Sequence, residues 1–284
     1  MKTVSIIIPT LNAGKLLPAL FDSISMQNYP DTEVIIYDDA RTNDNTTQVI
    51  TEWKSRLNIK YLKENQLLGQ ARLDASKSAK GDYLMHIDAD MQLKEGLLKE
   101  CVNLIDEEAD AVIIYEEVIG EGFWTKCKAL EKQCYKGDDQ MESPRFFSKS
   151  SYFEVGGHNP KLALSEDRDI AIKYLDSNKK VVRSITGLLH NERKISPIKT
   201  FNNKFYWAQT GFEYLNVHPK EAWWQALTLF FRKAYLRNWK LLISHPILTI
   251  GMFYLKVMEL LGATFGGFGT KIGIVKRRDY KTVK

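Results

Sequence analysis

Along residues 4 to 115, short aliphatic and β-branched runs alternate with longer stretches whose apolar residues fall at helical intervals. The runs are 4–9 (VSIIIP), 33–37 (EVIIY), 59–62 (IKYL), 82–88 (DYLMHID) and 111–115 (AVIIY). An unbroken apolar run marks a strand covered on both faces rather than one with a wet side. Between the runs, Leu16, Leu17, Leu20, Phe21 and Ile24 keep one helical face, with Asn12 as the expected cap. Residues 43–57, 69–79 and 94–107 are expected to be helical as well. Strand–helix alternation of this kind predicts an α/β fold: βαβ units, right-handed crossovers and a mainly parallel sheet flanked by helices.

In such sheets ligands bind beyond the carboxyl ends of the strands. Three of those ends carry notable residues: Pro9-Thr10, Asp38-Asp39 and Asp88-Ala89-Asp90. The topology therefore brings Asp39 and Asp88 towards one another. Residues 123–193 are mixed: a helix over 124–135, a strand at 144–149 (PRFFSK), a Gly156-Gly157 turn, a helix from near Ser165, and a strand at 180–183 leading to LLHNER.

Asp88 and Asp90 are two apart, so an extended chain would project both carboxylates the same way. Hard cations such as Mg²⁺ or Mn²⁺ take carboxylate oxygens and commonly share them with substrate phosphates. Gln92 adds a neutral oxygen two positions on. Taken alone, the DxD spacing also fits a solvated turn. Its context includes Arg72 on the preceding helix and Asp39, an acid suited to a ribose hydroxyl. Helix N-termini behind the strands favour an anion. Together these point to a nucleotide diphosphate with a divalent ion. No GxxxxGK[ST] and no GxGxxG after the first strand occur, which excludes a P-loop and the usual dinucleotide fingerprint.

Three stretches resemble family 2 glycosyltransferases, inverting enzymes of GT-A fold, in the right order over residues 3–195. VSIIIPTLNAGKLLPALFDSISMQNYPDTEVIIYDDARTNDNT is similar to that family's nucleotide-binding opening. GQARLDASKSAKGDYLMHIDADMQL is similar to its arginine helix and DxD strand, and PRFFSKSSYFEVGGHNPKLALSEDRDIAIKY to its acceptor segment. The resemblance implies that Pro9, Thr10 and Leu11, with Asp38 or Asp39, line the nucleoside. Arg72 and Asp88 would hold the base and ribose side, and Asp90, with Gln92 joining it, a Mn²⁺ or Mg²⁺ ion. Asp167 would be the general base, supported by Glu166; the alternative for this pair is a charged helix start capped by Ser165. His190 is either a third metal ligand or a structural histidine. Arg193, Lys199, Lys204 and Tyr206 resemble a basic-aromatic segment that closes over the diphosphate, or form a solvated face. The Asp-Ala-Asp-Met-Gln variant resembles the polyprenyl-phosphate hexosyltransferase branch, whereas the Glu-Asp pair suits a hydroxyl acceptor better than a phosphate. Leu73 and Ala75 depart from the Asn and Gly usual in the arginine helix, and the 40–46 loop is one residue longer.

The 284 residues, 44% hydrophobic and 26% charged, exclude a wholly disordered chain. Cys101, Cys127 and Cys134 lack CxxC spacing and suit buried thiols in a reducing compartment. Met1-Lys2 leads straight into a strand, so no signal peptide is expected. The net charge of +5 is concentrated in the last quarter, where Trp223, Trp224, Arg232, Lys233, Arg237, Trp239 and Lys240 precede a second cluster from Lys276 to Lys284. The long apolar stretch between the clusters favours a membrane surface over nucleic acid. Residues 222–243 predict an amphipathic helix. In 243–274, Lys256 and Glu259 interrupt the apolar run and lie three apart, close enough to pair. Interfacial or re-entrant helices fit this pattern better than a single span; a soluble helical hairpin packed on the catalytic domain or another subunit is the alternative.

The expected organisation is a catalytic domain over 1–200 and a helical, membrane-associating region over 201–284, peripheral or monotopic on the cytoplasmic side of the cell membrane. The expected activity is transfer from a nucleotide-diphosphate sugar to a lipid-linked or polyprenyl acceptor, with a homo-oligomer left open. A soluble transferase acting on polysaccharide or protein, and a non-catalytic nucleotide-sugar binding protein, are the alternatives.

Overall fold

The structure is a computed structural model that describes residues 2–275; the basic cluster at 276–284 lies outside the described residues. The first half runs β1 (Val4–Thr10), α1 (Leu17–Ser25), β2 (Thr32–Asp39), α2 (Thr46–Trp53), β3 (Ile59–Glu64), α3 (Leu68–Ser78), β4 (Tyr83–His86), β5 (Met91–Leu93), α4 (Leu97–Asp106), β6 (Ala111–Ile113), β7 (Glu116–Glu121) and α5 (Phe123–Tyr135). Then come β8 (Pro144–Ser148), α6 (Lys149–Glu154), α7 (Glu166–Asp176), β9 (Val181–Arg183), β10 (Leu188–Lys194) and α8 (Pro197–Trp207). A 3₁₀ turn leads to α9 (Gly211–Val217), α10 (Pro219–Leu227), α11 (Lys233–Arg237), α12 (Trp239–Ser244) and α13 (Pro246–Lys271).

Seven strands form the main sheet in the order β3-β2-β1-β4-β8-β6-β9, parallel except for β8, which runs antiparallel to both neighbours. Both faces are covered. Ile6 and Ile8 pack into the cluster with Leu20 and Leu98, while Ile7 packs with Ala75 and Tyr152 on the other side. That is why the β1 run is apolar at successive positions rather than at every other one. A second sheet, β5-β10-β7, stands beyond the end of β4.

Several expectations change. Asn12 does not cap α1: it is left-handed at φ 52°, and its Oδ1 accepts from the Asn43 amide at 2.9 Å, tying the β1 and β2 loops together. α1 opens instead after Leu16, with Pro18 in its first turn, where proline lacks no needed donor. Strand β4 ends at His86, so Asp88 and Asp90 lie in a turn rather than along an extended strand. LLHNER is part of a strand, β10, so His190 sits within a strand rather than after one. The helix expected at 222–243 is broken into α10, α11 and α12. Residues 246–271 form one continuous helix, about 39 Å long at 1.5 Å per residue. The boundary expected at residue 200 falls inside α8.

A separate apolar cluster joins α5 to the C-terminal helices: Cys127, Leu130 and Cys134 pack with Tyr235, Met252 and Leu255. All three cysteines are buried free thiols, as expected.

Candidate active site

The carboxyl ends of β1, β2 and β4 carry three groups with different surroundings. Asp38 is fully buried and saturated. It accepts from Thr10 Oγ1 at 2.9 Å, Thr42 Oγ1 at 2.6 Å and Tyr61 Oη at 2.9 Å. Its work is to fix the loop after β1, which leaves Asp39 as the better placed of the two for a ligand. Asp39 is held by its own loop, accepting from the Arg41 backbone amide at 2.9 Å and from Arg41 Nε at 2.8 Å. Tyr206 of α8 also hydrogen-bonds Arg41, so α8 approaches this end of the sheet. Pro9 pairs with Tyr37 in register, and Leu11 is exposed at the rim.

In the turn after β4 the two aspartates diverge. Asp88 turns towards cations: Arg72 Nη2 of α3 at 2.5 Å and Arg145 Nη2 of β8 at 3.4 Å. Burial opposes its charge, but the two guanidinium groups hold its carboxyl below the usual range. Asp90 turns towards β10, where His190 Nε2 stands 3.4 Å from Oδ1. On its other side His190 Nδ1 lies 3.2 Å from Glu116 Oε2. Burial opposes protonation of His190, yet its bonds to Asp90 and Glu116 push it up to about 10. Gln92 pairs with Leu189 and His190 with Met91, so Gln92 leaves the opposite face of the small sheet from His190.

Arg145 and Glu116 complete the set, and neither was expected from the sequence. Arg145 Nε donates to Glu116 at 2.6 Å, and Nη1 donates to the His86 carbonyl at 3.3 Å. Lys132 of α5 adds a 3.0 Å bond to Glu116. Arg72, Asp88, Arg145, Glu116, His190 and Asp90 thus form a chain of alternating charge. Buried charges are tolerated only when paired in this way. A signal existed: both residues border apolar strand runs, where an unpaired charge would be costly.

The base candidates arrive from the other side. Gly156 and Gly157 adopt φ 86° and 62°, and a Cβ at Gly157 would come within 2.9 Å of the Tyr152 ring. This turn lets the following loop pack on α3, where Gly69 N donates to Leu162 O at 2.9 Å. Ser165 is left-handed at φ 59°, and its side chain makes no capping bond, unlike the capped start expected. Such strain in a non-glycine residue persists where surrounding structure enforces it. Glu166 is buried with Oε1 3.5 Å from Arg72 Nε, while Asp167 is exposed to the cleft beside Glu116 and Arg145. Burial first, then the adjacent Asp167, raises Glu166 to about 7. Arg72 Nη1 is buried without a hydrogen-bond partner. Behind it, His86 and His158 lie 4.7 Å apart between ring centroids; burial holds both well below the usual histidine range, so both are neutral.

Residues 5–154 match the family model of glycosyl transferase family 2. The chain belongs to that family. Its fold is GT-A-like α/β, as the sequence resemblance implied. Over 119 residues it is 33% identical to the poly(ribitol-phosphate) beta-N-acetylglucosaminyltransferase TarS of Staphylococcus aureus. That match covers 40% of this chain and 21% of TarS, so the chain spans about a fifth of that relative. The crystal structure of S. aureus TarS 1-349 in complex with UDP-GlcNAc superimposes with TM-score 0.59 at 18% identity, covering 99% of this chain and 98% of the other. The mannosyltransferase PcManGT from Pyrobaculum calidifontis, in complex with GDP-Man and Mn²⁺, gives 0.62 at 16% identity, covering 93% and 87%. These two likenesses concern the fold.

Among the described residues no group of three or more His, Cys, Asp or Glu side chains is placed to hold a metal ion. Asp90 Oδ1 and His190 Nε2 stand 3.4 Å apart, close to the roughly 3 Å between neighbouring donors around an ion with 2.1 Å bonds, and an ion there would have to displace the proton that His190 holds on that nitrogen. Glu116 on the far nitrogen of His190 is the carboxylate that commonly orients a ligating imidazole.

Proposed function

We propose that this family 2 glycosyltransferase is a metal-dependent, inverting enzyme that moves a sugar from a nucleotide-diphosphate sugar to a lipid-linked or polyprenyl acceptor at the cytoplasmic membrane face. The observation that carries the reading is Arg72, whose guanidinium touches both Asp88 on the donor side and Glu166 beside the candidate base. One cation thereby ties the two halves of a transfer site together.

In this reading Pro9, Thr10, Leu11 and Asp39 border the nucleoside, with Asp38 shaping the loop. Arg72 and Asp88 hold the ribose side of the donor. Asp90 and His190 would hold Mn²⁺ or Mg²⁺, with Gln92 the weaker candidate because of the face it occupies. Such an ion, when bound, supplies positive charge that neutralises the leaving diphosphate. The Asp167 carboxylate accepts the proton of the acceptor hydroxyl as that oxygen bonds to the anomeric carbon. The carbon–oxygen bond to the diphosphate breaks on the opposite face, and nucleoside diphosphate leaves with the electron pair. Glu166 keeps Arg72 in place. The chain up to the end of β10 then acts as the catalytic unit, and the chain from α8 onward as the membrane-associating region. A glycan polymer is the second acceptor reading, favoured by the polymer in TarS's name.

The test is a panel of UDP- and GDP-sugars with Mn²⁺ or Mg²⁺ against a membrane extract. The expected result is metal-dependent release of nucleoside diphosphate with label entering the lipid phase. Label entering only water-soluble glycan favours the second acceptor, and failure to bind any nucleotide diphosphate refutes both.

A further inference from the structure

We infer that α13 lies in the plane of an anionic bilayer, with its outer face in the interface and its inner face welded to the catalytic domain. The inference rests on the proposed membrane-associating role of the C-terminal region and specifies which face is used and how the helix is oriented.

The inner face is docked along most of the helix. A Cβ at Gly251 would come within 2.5 Å of Cys127 Sγ on α5; at Gly262 and Gly266 it would come within 2.3 and 2.1 Å of the Phe201 and Phe205 carbonyl oxygens on α8. The small residues therefore permit backbone contact with α8, the use such spacing has between helices in lipid. Near the C-terminal end, Phe268 meets Phe212 of α9 edge-on at 5.8 Å. The two charges expected to interrupt the helix point inward. Lys256 Nζ reaches Glu259 Oε2 at 2.6 Å and also pairs with Glu131 of α5, while Lys128 bonds Glu259 at 3.0 Å. A spanning orientation would carry α5 into hydrocarbon. Yet α5 also carries Lys132, bonded to Glu116 at the site.

The outer face is its reverse. Ile247, Ile250, Tyr254, Leu261 and Phe265 recur at steps of three, four and seven and are 40–72% exposed. This is an apolar stripe on a helix that buries Lys256 and Glu259, a pattern that marks an interaction face. Charge selects the occupant. From residue 217 to 275 there are seven lysines and arginines against two acids, Glu221 and Glu259. Both acids are consumed internally, Glu221 by Arg168 and Glu259 by the lysines. The exposed remainder includes Lys233, Lys240 and Lys271, interleaved with exposed Leu236 and Trp239. Two copies meeting on this face would repel; an anionic lipid surface complements it. The cleft at the site reaches α11. Asp167 and Tyr135 line one cleft, and Tyr135 hydrogen-bonds Tyr235 of α11 at 2.5 Å.

The full chain is to be floated with phosphatidylethanolamine–phosphatidylglycerol vesicles and, in parallel, with phosphatidylcholine vesicles. Donor hydrolysis is followed in solution on the same samples. The expected result is binding to the anionic vesicles, roughly fivefold weaker for each of Lys233→Gln and Lys240→Gln. The Ile250→Ser/Phe265→Ser pair is expected to weaken binding by about tenfold or more while donor hydrolysis persists, and alkaline carbonate is expected to strip the chain from the vesicles. Vesicle binding unchanged by both sets of variants, or retention through carbonate, overturns the inference. So does a solution dimer that the serine pair dissociates. Vesicle binding with no donor turnover supports the docking face and counts against the transfer chemistry, which separates the two claims.

Discussion

Replacing Glu166 by Gln isolates the most unusual electrostatic feature of the site. Burial and the adjacent Asp167 lift Glu166 from 4.5 to about 7, against the attraction of Arg72. Below 4.5 the carboxyl is protonated in both folded and unfolded chains, so it costs nothing. Between 4.5 and 7 the folded state binds the extra proton, and stability falls as pH rises. Above 7 the full difference applies, roughly 3 kcal/mol, and somewhat less because Asp167 shares the titration. Gln fills the same volume and cannot ionise. Urea unfolding at pH 5 is therefore expected to find Glu166→Gln within about 1 kcal/mol of the parent, and at pH 8 more stable by about 2–3 kcal/mol. A gain equal at the two pH values, or a loss at pH 8, refutes the reasoning. A loss at pH 8 would mean that the ionised Glu166–Arg72 pair outweighs the burial of the charge.

Arg145→Met removes one partner from Glu116 and Asp88 in a buried network, a change that typically costs about 3–5 kcal/mol. Lys132 and Arg72 still face the two acids, so about 2–3 kcal/mol is expected in urea unfolding. Combining it with Glu116→Gln should recover at least about 1 kcal/mol relative to the sum of the single changes; strict additivity would contradict the network. Gly266→Val places a Cβ against the Phe205 carbonyl and is expected to lift α13 from α8, detected as limited proteolysis near residue 246 that the parent resists. His190→Ala should weaken the apparent Mn²⁺ affinity in donor hydrolysis by more than the roughly 10–100-fold typical of losing a ligand's outer-shell partner, and an unchanged metal titration would remove His190 from the ligand set.

The alternation of strands and helices was legible because the inner strands β1, β2, β4 and β6 are buried on both faces, so their apolar runs are nearly unbroken. Arg72 and Asp88 were singled out by the helix and the strand end on which they fall and stand 2.5 Å apart in the structure, whereas Asp167 was singled out only by the family resemblance. Three features were hidden for different reasons. The divergence of Asp88 and Asp90 depends on a turn that begins two residues earlier than the apolar run suggests. Arg145 and Glu116 matter only through each other, and β8 and β7 lie in different sheets. The long, half-buried α13 was obscured by Lys256 and Glu259, whose partners Glu131 and Lys128 stand more than a hundred residues away. A charge inside an apolar helix reads as an interruption until its partner is known.

The account's central claim is that Asp167 deprotonates the acceptor across from a donor held by Arg72 and Asp88. It is tested most directly by measuring donor affinity and transfer rate together for Asp167→Asn. The account predicts donor affinity within about twofold of the parent and transfer slowed by roughly 10²–10⁴-fold. Transfer at the parental rate with donor binding intact would contradict it.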